Sequence, residues 1–208
     1  MNINQLSLEA DFAEIQKNID AINLSDIQRV ATILAEAHCS MEHARVICGR
    51  VVNRNNMAST VYIAGNGGSA STAQHFASDL ENAGIYTKCL VDNMARVTAL
   101  INDRGWGKLF TEQMKQFNGD ILVLFTVHGS TGEDSAGAWS QNLVHAAKMA
   151  KERNGLVIVI SGCNGGELVK YANAKVVIPS GDVLIVEGVH VVITHLIIAA
   201  LISQQNDK

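Results

Sequence analysis

The segment from Thr60 to Glu81, TVYIAGNGGSASTAQHFASDLE, constrains the fold of this chain more than any other. It opens with a short apolar run rich in β-branched residues, breaks at Gly65-Asn66-Gly67-Gly68, and continues with small residues in a helical pattern. This order predicts a strand, a tight loop and a helix. Glycines permit positive φ angles, and a helix N-terminus favours an anion. We therefore expect the loop to hold a phosphate or a sugar.

The helix that follows this loop carries further polar groups. Ser69 and Ser71 are placed to cap it and to offer hydroxyls. His75 and Asp79 are four residues apart, so they share one helical face and could bind a metal or move a proton. The loop matches neither the dinucleotide fingerprint GxGxxG nor the Walker loop GxxxxGK[ST], so spacing alone leaves a purely structural turn open.

Composition narrows the class of protein. A chain of 208 residues is long enough for one domain with a sizeable core. Hydrophobic residues make up 48% and charged residues only 17%, which predicts that apolar surface is buried between subunits. The formal net charge is −4 and there is no lysine and arginine cluster, which argues against a nucleic-acid partner.

The N-terminal sequence, one long apolar run and the cysteine spacing indicate the cellular compartment in which the protein is expected. The N-terminal sequence MNINQLSLEADF lacks the features of a signal peptide, and we expect a cytoplasmic protein. The apolar run from Val183 to Ile202 contains Glu187, His190 and His195, so a buried helix is expected there rather than a membrane span. The cysteines show no zinc-ribbon spacing and are expected to be reduced; they are Cys39, Cys48, Cys89 and Cys163.

The pattern along the chain predicts an α/β fold. Residues 1–56 are expected to form a helical arm, with a third helix from Met41 to Asn53, in the same domain as residues 57–208. Apolar runs then alternate with helical segments, which predicts a mostly parallel sheet covered on both faces. The result is a three-layer sandwich with five parallel strands. The four later runs are 86–91, 121–127, 156–161 and 174–179.

Ligands of open parallel sheets bind beyond the carboxyl ends of the strands, so the segments after the strands are candidate sites. Asn102-Asp103 is a polar pair that predicts a turn within a helical pattern. The segment from His128 to Gly132 is a glycine and hydroxyl loop that precedes a helix starting near Ser140. Such a loop predicts a phosphate cradle, although a simple connection is the alternative.

The sequence GNGGSASTAQHFASDL resembles the first signature of the sugar isomerase (SIS) domain, and within it the phosphoheptose isomerases. The resemblance runs from about Glu42 to about Ser203. It implies a flavodoxin-like SIS fold and an aldose–ketose isomerase that converts sedoheptulose 7-phosphate to a heptose 7-phosphate through an enediol. It also implies a homotetramer whose active sites lie at subunit interfaces.

The resemblance also implies substrate-binding residues. The loop after the third strand departs from the family pattern, because it is longer and has His128 and Gly129 where serine and threonine are expected. This departure predicts a subfamily with a related but different sugar phosphate. The positions that match the family's substrate contacts are Asn66, Gly67, Gly68, Ser69, Asn102, Asp103, His128, Gly129, Ser130 and Ser140.

The family places a glutamine and a histidine, eight residues apart, near the metal and the substrate. Those positions are Glu187 and His195 here, and with His75 and Asp79 they make a set suited to one divalent ion per subunit, zinc being the first expectation. Eight residues on one helix advance about 12 Å and turn about 80°. The sequence therefore predicts a helix that starts after Glu187 or ligands from two subunits, with His190 as a reserve ligand.

An enediol mechanism needs a base to move a proton between carbons and an acid or metal to polarise the carbonyl. Asp79 or Glu187 is the candidate base, and His195 is the candidate acid. The alternative is a non-catalytic SIS module, either a sugar-phosphate sensor or a tetrameric scaffold of the replication-initiation regulator type. Such a module would keep the glycine and serine loops without needing the four ligand-competent residues.

Overall fold

A five-stranded parallel sheet forms the centre of the protein. This computed structural model describes residues 5–38, 45–47, 50–52, 59–134 and 137–206. The strands of the sheet are β3 (Val61–Gly65), β4 (Thr87–Cys89), β5 (Ile121–Thr126), β8 (Leu156–Ser161) and β9 (Ala174–Val177). They lie in the order β4-β3-β5-β8-β9, and every neighbouring pair is parallel. The predicted sheet is therefore confirmed.

Helices cover both faces of this sheet. The α-helices are α1 (Gln5–Asp20), α2 (Leu24–His38), α3 (Gly68–Asn82), α4 (Met94–Arg104), α5 (Gln141–Glu152) and α6 (Val183–Asn206). Right-handed crossovers in opposite directions from β3 and β5 place α3 on one face and α5 on the other. Helices α2, α3 and α6 pack together on the first face, and α5 packs against β5 and β8 on the second.

The three inner strands are buried on both faces. All residues of β3, β5 and β8 are buried, which explains their continuous apolar sequences. After α4, whose C-cap is Gly105 with φ +82°, the chain forms two 3-10 turns, Trp106–Lys108 and Thr111–Met114. A further 3-10 turn, Leu168–Lys170, lies between β8 and β9.

The predicted third helix of the N-terminal arm is wrong where the structure describes it. Arg45–Ile47 forms β1 and Arg50–Val52 forms β2, and the two pair antiparallel with Val46 opposite Val51. The β-branched residues here favour extended backbone, because branching at Cβ restricts χ1 in a helix. The other parts of the predicted Met41–Asn53 helix lie outside the described residues.

Helix α6 packs along the sheet with one face and is exposed on the other. Within the described residues, its segment Val183–Gln204 is the one helix long and apolar enough to cross a membrane by length and composition, and 39% of the most apolar stretch is buried. Contacts with α2, α3 and β8 account for the buried side. Leu184, Leu196 and Ile202 are exposed on the other side. That this helix does not span a membrane stays a prediction.

His190 lies on the buried side of α6. Its side chain is 0% exposed, and neither ring nitrogen has a hydrogen-bond partner among the described residues. The ring stands edge-on to Phe125, with centroids 5.6 Å apart. Burial lowers the pKa of His190 to about 4 from its ordinary value of 6.5. The imidazole is therefore neutral and part of the core at pH 7.

This buried imidazole predicts acid sensitivity. Its folded-state pKa is lowered, so the unfolded chain binds the proton more readily, and stability is lost as the pH falls from 6.5 towards 4. The loss should reach about 2 kcal/mol at pH 5. His190→Leu should flatten this part of the pH profile in urea denaturation, whereas exposed His145→Gln should not. An unchanged profile for His190→Leu would contradict the prediction.

Candidate active site

The candidate site lies where β3 and β5 end. Residue Gly65 at the end of β3 pairs with Phe125 of β5, so the loops that follow begin side by side. The chain leaves these two strands in opposite directions, to β4 on one side and to β8 on the other. Ligands of open parallel sheets bind at such a switch point, because the diverging connections leave a crevice.

The first loop is short and leads directly into α3. Gly67, with φ +58°, is the N-cap of this helix and makes no side-chain capping bond. The predicted capping by Ser69 and Ser71 is wrong, because α3 begins at Gly68 and both serines lie inside its first turn. Ser69 is buried, with 2% of its surface exposed. No side chain at the cap position competes with a ligand for the first amides of α3.

Asn66 joins this loop to the start of α5. Its side-chain amide donates to Oδ1 of Asn142 and accepts from Nδ2 of Asn142, both at 3.0 Å. It also donates to Oγ of Ser140 at 3.2 Å. Asn142 is fully buried, and our sequence analysis missed it. The available signal was a polar residue at a helix start, just before the apolar pair Leu143-Val144.

The second loop follows β5 and is held in a left-handed conformation. Ser130 is buried with φ +62°, and its hydroxyl donates to the Ser140 carbonyl oxygen at 3.2 Å. A Cβ added at Gly129 would overlap the backbone of Gly165. The Gly129 carbonyl oxygen accepts from the Leu168 amide at 3.1 Å. The loop after β8 therefore supports the second loop from behind, a contact that our sequence analysis did not anticipate.

The longer connection predicted between Ser130 and Ser140 contains a small hairpin. Glu133–Asp134 (β6) pairs antiparallel with Gly137–Ala138 (β7). At the base of the hairpin, the Trp139 amide donates to the Gly132 carbonyl oxygen at 2.9 Å. The Trp139 ring lies 5.0 Å from the His128 ring, centroid to centroid. The insertion thus returns an aromatic side chain to the site.

These loops enclose a cavity of about 160 Å³ at the carboxyl edge of the sheet. It combines apolar walls with a few polar groups, as ligand pockets usually do. Of the predicted substrate-binding residues, Asn66, Ser69, His128, Ser130 and Ser140 line it. The full lining is Asn66, Ser69, Phe125, Thr126, Val127, His128, Ser130, Trp139, Ser140, Val183 and Glu187.

Glu187 enters this cavity from α6. Because α6 begins at Val183, the expected helix start after Glu187 is wrong. A Cβ at Gly68 would overlap the Glu187 carboxylate, so these groups are in close contact. The carboxylate therefore lies at the N-terminus of α3, where the helix dipole favours a negative charge. Gly68 is required here for close approach.

A second cluster lies further along the same two helices. Asp79 Oδ2 is 3.3 Å from His75 Nε2 and 3.9 Å from His195 Nε2, and the two Nε2 atoms are 3.4 Å apart. Ligand atoms of a tetrahedral zinc ion, with bonds near 2.0–2.1 Å, stand about 3.3 Å apart. The three side chains fit one such ion with a position left open. Both imidazoles are half exposed, so the open position faces solvent.

Glu187 does not join this cluster within one chain. Among the described residues, the group able to share an ion is His75, Asp79 and His195. Glu187 packs against Gly68, about 12 Å along α6 from His195, as the rise per residue requires. His190, which we considered as a reserve metal ligand, is buried in the core and is not part of this cluster.

The predicted turn at Asn102-Asp103 is wrong, because both residues belong to the last turn of α4. Both side chains are exposed, and the Asn102 amide donates to Oδ1 of Asp103 at 2.8 Å. Neither residue lines the cavity of its own chain.

No protein-family model matches the chain. It is 26% identical over 182 residues to a phosphoheptose isomerase of Aliarcobacter butzleri, covering 84% of this chain and 90% of that protein. A phosphoheptose isomerase structure from Neisseria gonorrhoeae has the same fold, with a TM-score of 0.76 and 23% identity over 96% of this chain and 98% of that one. The chain is thus similar to phosphoheptose isomerases over most of its length. The expected SIS-type fold is thereby confirmed.

The chain is also similar to a relative with a different name. It is 36% identical over 154 residues to the lincomycin biosynthesis protein LmbN of Streptomyces lincolnensis, covering 68% of this chain. The chain spans only 55% of the length of that relative. The same fold unit therefore occurs within a longer protein.

Proposed function

We propose that the protein is an aldose–ketose isomerase that converts sedoheptulose 7-phosphate to a heptose 7-phosphate through an enediol. The observation that carries this proposal is the cavity at the switch point, in a homologue of phosphoheptose isomerases. Isomerisation needs an anion site, a base and a group that polarises a carbonyl. In this proposal the polar groups of the cavity bind the anion, its carboxylate is a candidate base, and the nearby histidine cluster polarises the carbonyl.

Phosphate recognition is assigned to the hydroxyls of Ser69, Ser130 and Ser140. The Ser130 hydroxyl would give up its bond to the Ser140 carbonyl oxygen to donate to the phosphate, because it has a single hydrogen. Helices α3 and α5 both begin at the cavity, and neither N-cap uses a side chain. Their first amides and dipoles favour an anion. Among the described lining residues there is no lysine or arginine, so neutral donors carry the recognition. The carbonyl end of the sugar then lies away from these hydroxyls.

Proton transfer is assigned to one of two carboxylates. Glu187 lines the cavity, whereas Asp79 faces the two imidazoles. Glu187→Gln should abolish turnover without loss of bound metal if Glu187 is the base. If Asp79 is the base, Glu187→Gln should stay active. Asp79→Asn removes a proposed metal ligand in either case, so Glu187→Gln is the deciding variant. His195, which is within reach of Asp79, is the proposed acid.

His75, Asp79 and His195 are the residues that would hold a divalent metal, and zinc suits two imidazoles and a carboxylate. When bound, the ion would supply Lewis-acid polarisation of the sugar carbonyl. Glu187 would then bind near the substrate rather than the ion, unless another subunit contributes it. The repulsion between the Glu187 carboxylate and an anionic ligand would be offset by the positive end of the α3 helix dipole.

The contact between Gly68 and Glu187 gives a direct test of the carboxylate's placement. In Gly68→Ala, the new methyl overlaps the flexible end of the Glu187 side chain, so the carboxylate should move while the fold survives. We expect turnover to fall at least about tenfold with under about 1 kcal/mol change in stability. Gly188→Ala is the matched control, because a Cβ there meets nothing within 4 Å. Equal turnover in the two variants would disprove this role.

We also propose a homotetramer with active sites at subunit interfaces. Support comes from exposed apolar side chains on the helices that cover one face of the sheet: Leu8, Phe12, Leu24, Leu184, Leu196 and Ile202. Asn102 and Asp103 would then reach the cavity of a neighbouring subunit. Light scattering should give four times the chain mass of 22.3 kDa. A stable monomer at micromolar concentration would contradict this proposal.

The deciding experiment is incubation with sedoheptulose 7-phosphate, followed by NMR for an aldose product. Production of a heptose 7-phosphate by the wild type supports the proposal. Binding of the sugar phosphate without any product would favour the alternative, a non-catalytic sugar-phosphate-binding or scaffold protein. That alternative has no need for a histidine and carboxylate cluster, which the chain possesses.

A further inference from the structure

The insertion after Ser130 fixes the position of one aromatic ring. The Trp139 amide is bonded to the Gly132 carbonyl oxygen, and its indole folds back over Gly132. A Cβ built at Gly132 would lie 2.9 Å from Cε3 of the indole, so only glycine allows this approach. The ring is therefore held in place by a contact within its own loop.

This indole and the His128 imidazole form one side of the cavity. Their centroids are 5.0 Å apart and the ring planes are inclined at 49°. Both rings line the cavity, and we call the pair the aromatic wall. Trp139 is still 38% exposed, so it keeps apolar surface that a ligand can cover.

The cavity has a polar part, lined by serine hydroxyls, and an apolar part, formed by the aromatic wall. Hydroxyls of Ser69, Ser130 and Ser140 and two helix N-termini suit a phosphate group, as argued above. A sugar phosphate presents a carbon chain next to that group, and its C–H surface needs an apolar partner once water is displaced. The aromatic wall is the large apolar surface beside the hydroxyls.

We propose that Trp139 is a specificity-determining residue, which packs against the carbon chain of a phosphorylated sugar while the hydroxyls bind the phosphate. This inference rests on the proposed function for the class of ligand. It predicts that Trp139 increases the affinity for sugar phosphates but not for inorganic phosphate, which offers no carbon surface. A residue that only supported the loop would affect both ligands alike.

Two experiments test this role. The chain has two tryptophans, so Trp106→Phe leaves Trp139 as the single reporter. Its fluorescence should change saturably with sedoheptulose 7-phosphate. Calorimetry should then show that Trp139→Ala raises the Kd for sedoheptulose 7-phosphate about tenfold, and for inorganic phosphate less than about twofold. Trp139→Phe should keep most of the affinity.

Each outcome decides the inference. An unchanged Kd for the sugar phosphate in Trp139→Ala overturns it, and so does an equal loss for both ligands. If the wild type binds neither ligand, the inference also fails. If Trp139 discriminates as expected but NMR shows no aldose product, the inference stands and the isomerase proposal fails instead.

Discussion

We expect that His75→Ala and His195→Ala will each lose the proposed divalent metal and at least about a hundredfold of turnover. The cluster has three donors in a single chain, so each substitution leaves only two. Both imidazoles are half exposed and lie outside the core, so in chelator, where wild type and variants are all metal-free, the change in stability should stay within about 0.5 kcal/mol. Elemental analysis of the purified variants and isomerase assays measure the two effects.

His145→Ala is the matched control for these variants. His145 is an exposed histidine on α5 whose ring bonds to the Gly107 carbonyl oxygen, away from the cluster. It should keep both metal and turnover. Full activity of the wild type in strong chelator, with no metal found, would show that the cluster moves protons directly and that the metal assignment is wrong.

Gly129→Ala will raise the KM for the sugar phosphate at least about tenfold and destabilise the fold by about 3 kcal/mol. Gly129 has φ +61°, which an alanine adopts only with strain. The added Cβ would also overlap the Gly165 backbone, which cannot move as a flexible side chain can. The loop must therefore shift, and Ser130 moves with it.

Gly84→Ala is the control that shows the effect of backbone strain at a positive φ angle without a shift of the Gly129 loop. Gly84 has φ +79° but follows the C-terminal end of α3, far from the cavity. This control should cost about 1 kcal/mol by strain alone and leave KM unchanged. Urea denaturation and steady-state kinetics give the two readouts. A KM for Gly129→Ala equal to that of Gly84→Ala would show that the loop position does not matter for binding.

Features that lie within one element could be predicted from the sequence. The strand from Val61, the glycine break and the following helix all matched their local patterns. The pairing of His75 with Asp79 also followed from their spacing of four residues. These features depend on backbone geometry over a few residues, which periodicity reports directly.

Sequence patterns gave the wrong prediction where the local sequence suits two conformations almost equally well. The segment from Arg45 to Val52 is read as a helix by its apolar content, yet β1 and β2 form there because paired strands suit β-branched residues. The same limit applies to the predicted capping by Ser69, which lies two positions after the true N-cap, Gly67. End residues of helices depend on loop geometry more than on pattern.

The contacts between distant elements were decided by the tertiary structure alone. His195 meets His75 across 120 residues, and Asn142 bonds to Asn66 across 76. Trp139 enters the cavity because a hairpin turns it back, and Glu187 stays with Gly68 because α6 is continuous. The sequence by itself determined the five strands of the central sheet, the two glycine-containing loops and the residue types available for chemistry. Which of those residues meet was determined by how α3, α5 and α6 pack on the sheet, because helix packing, unlike helical periodicity, is set by side chains far apart in the chain.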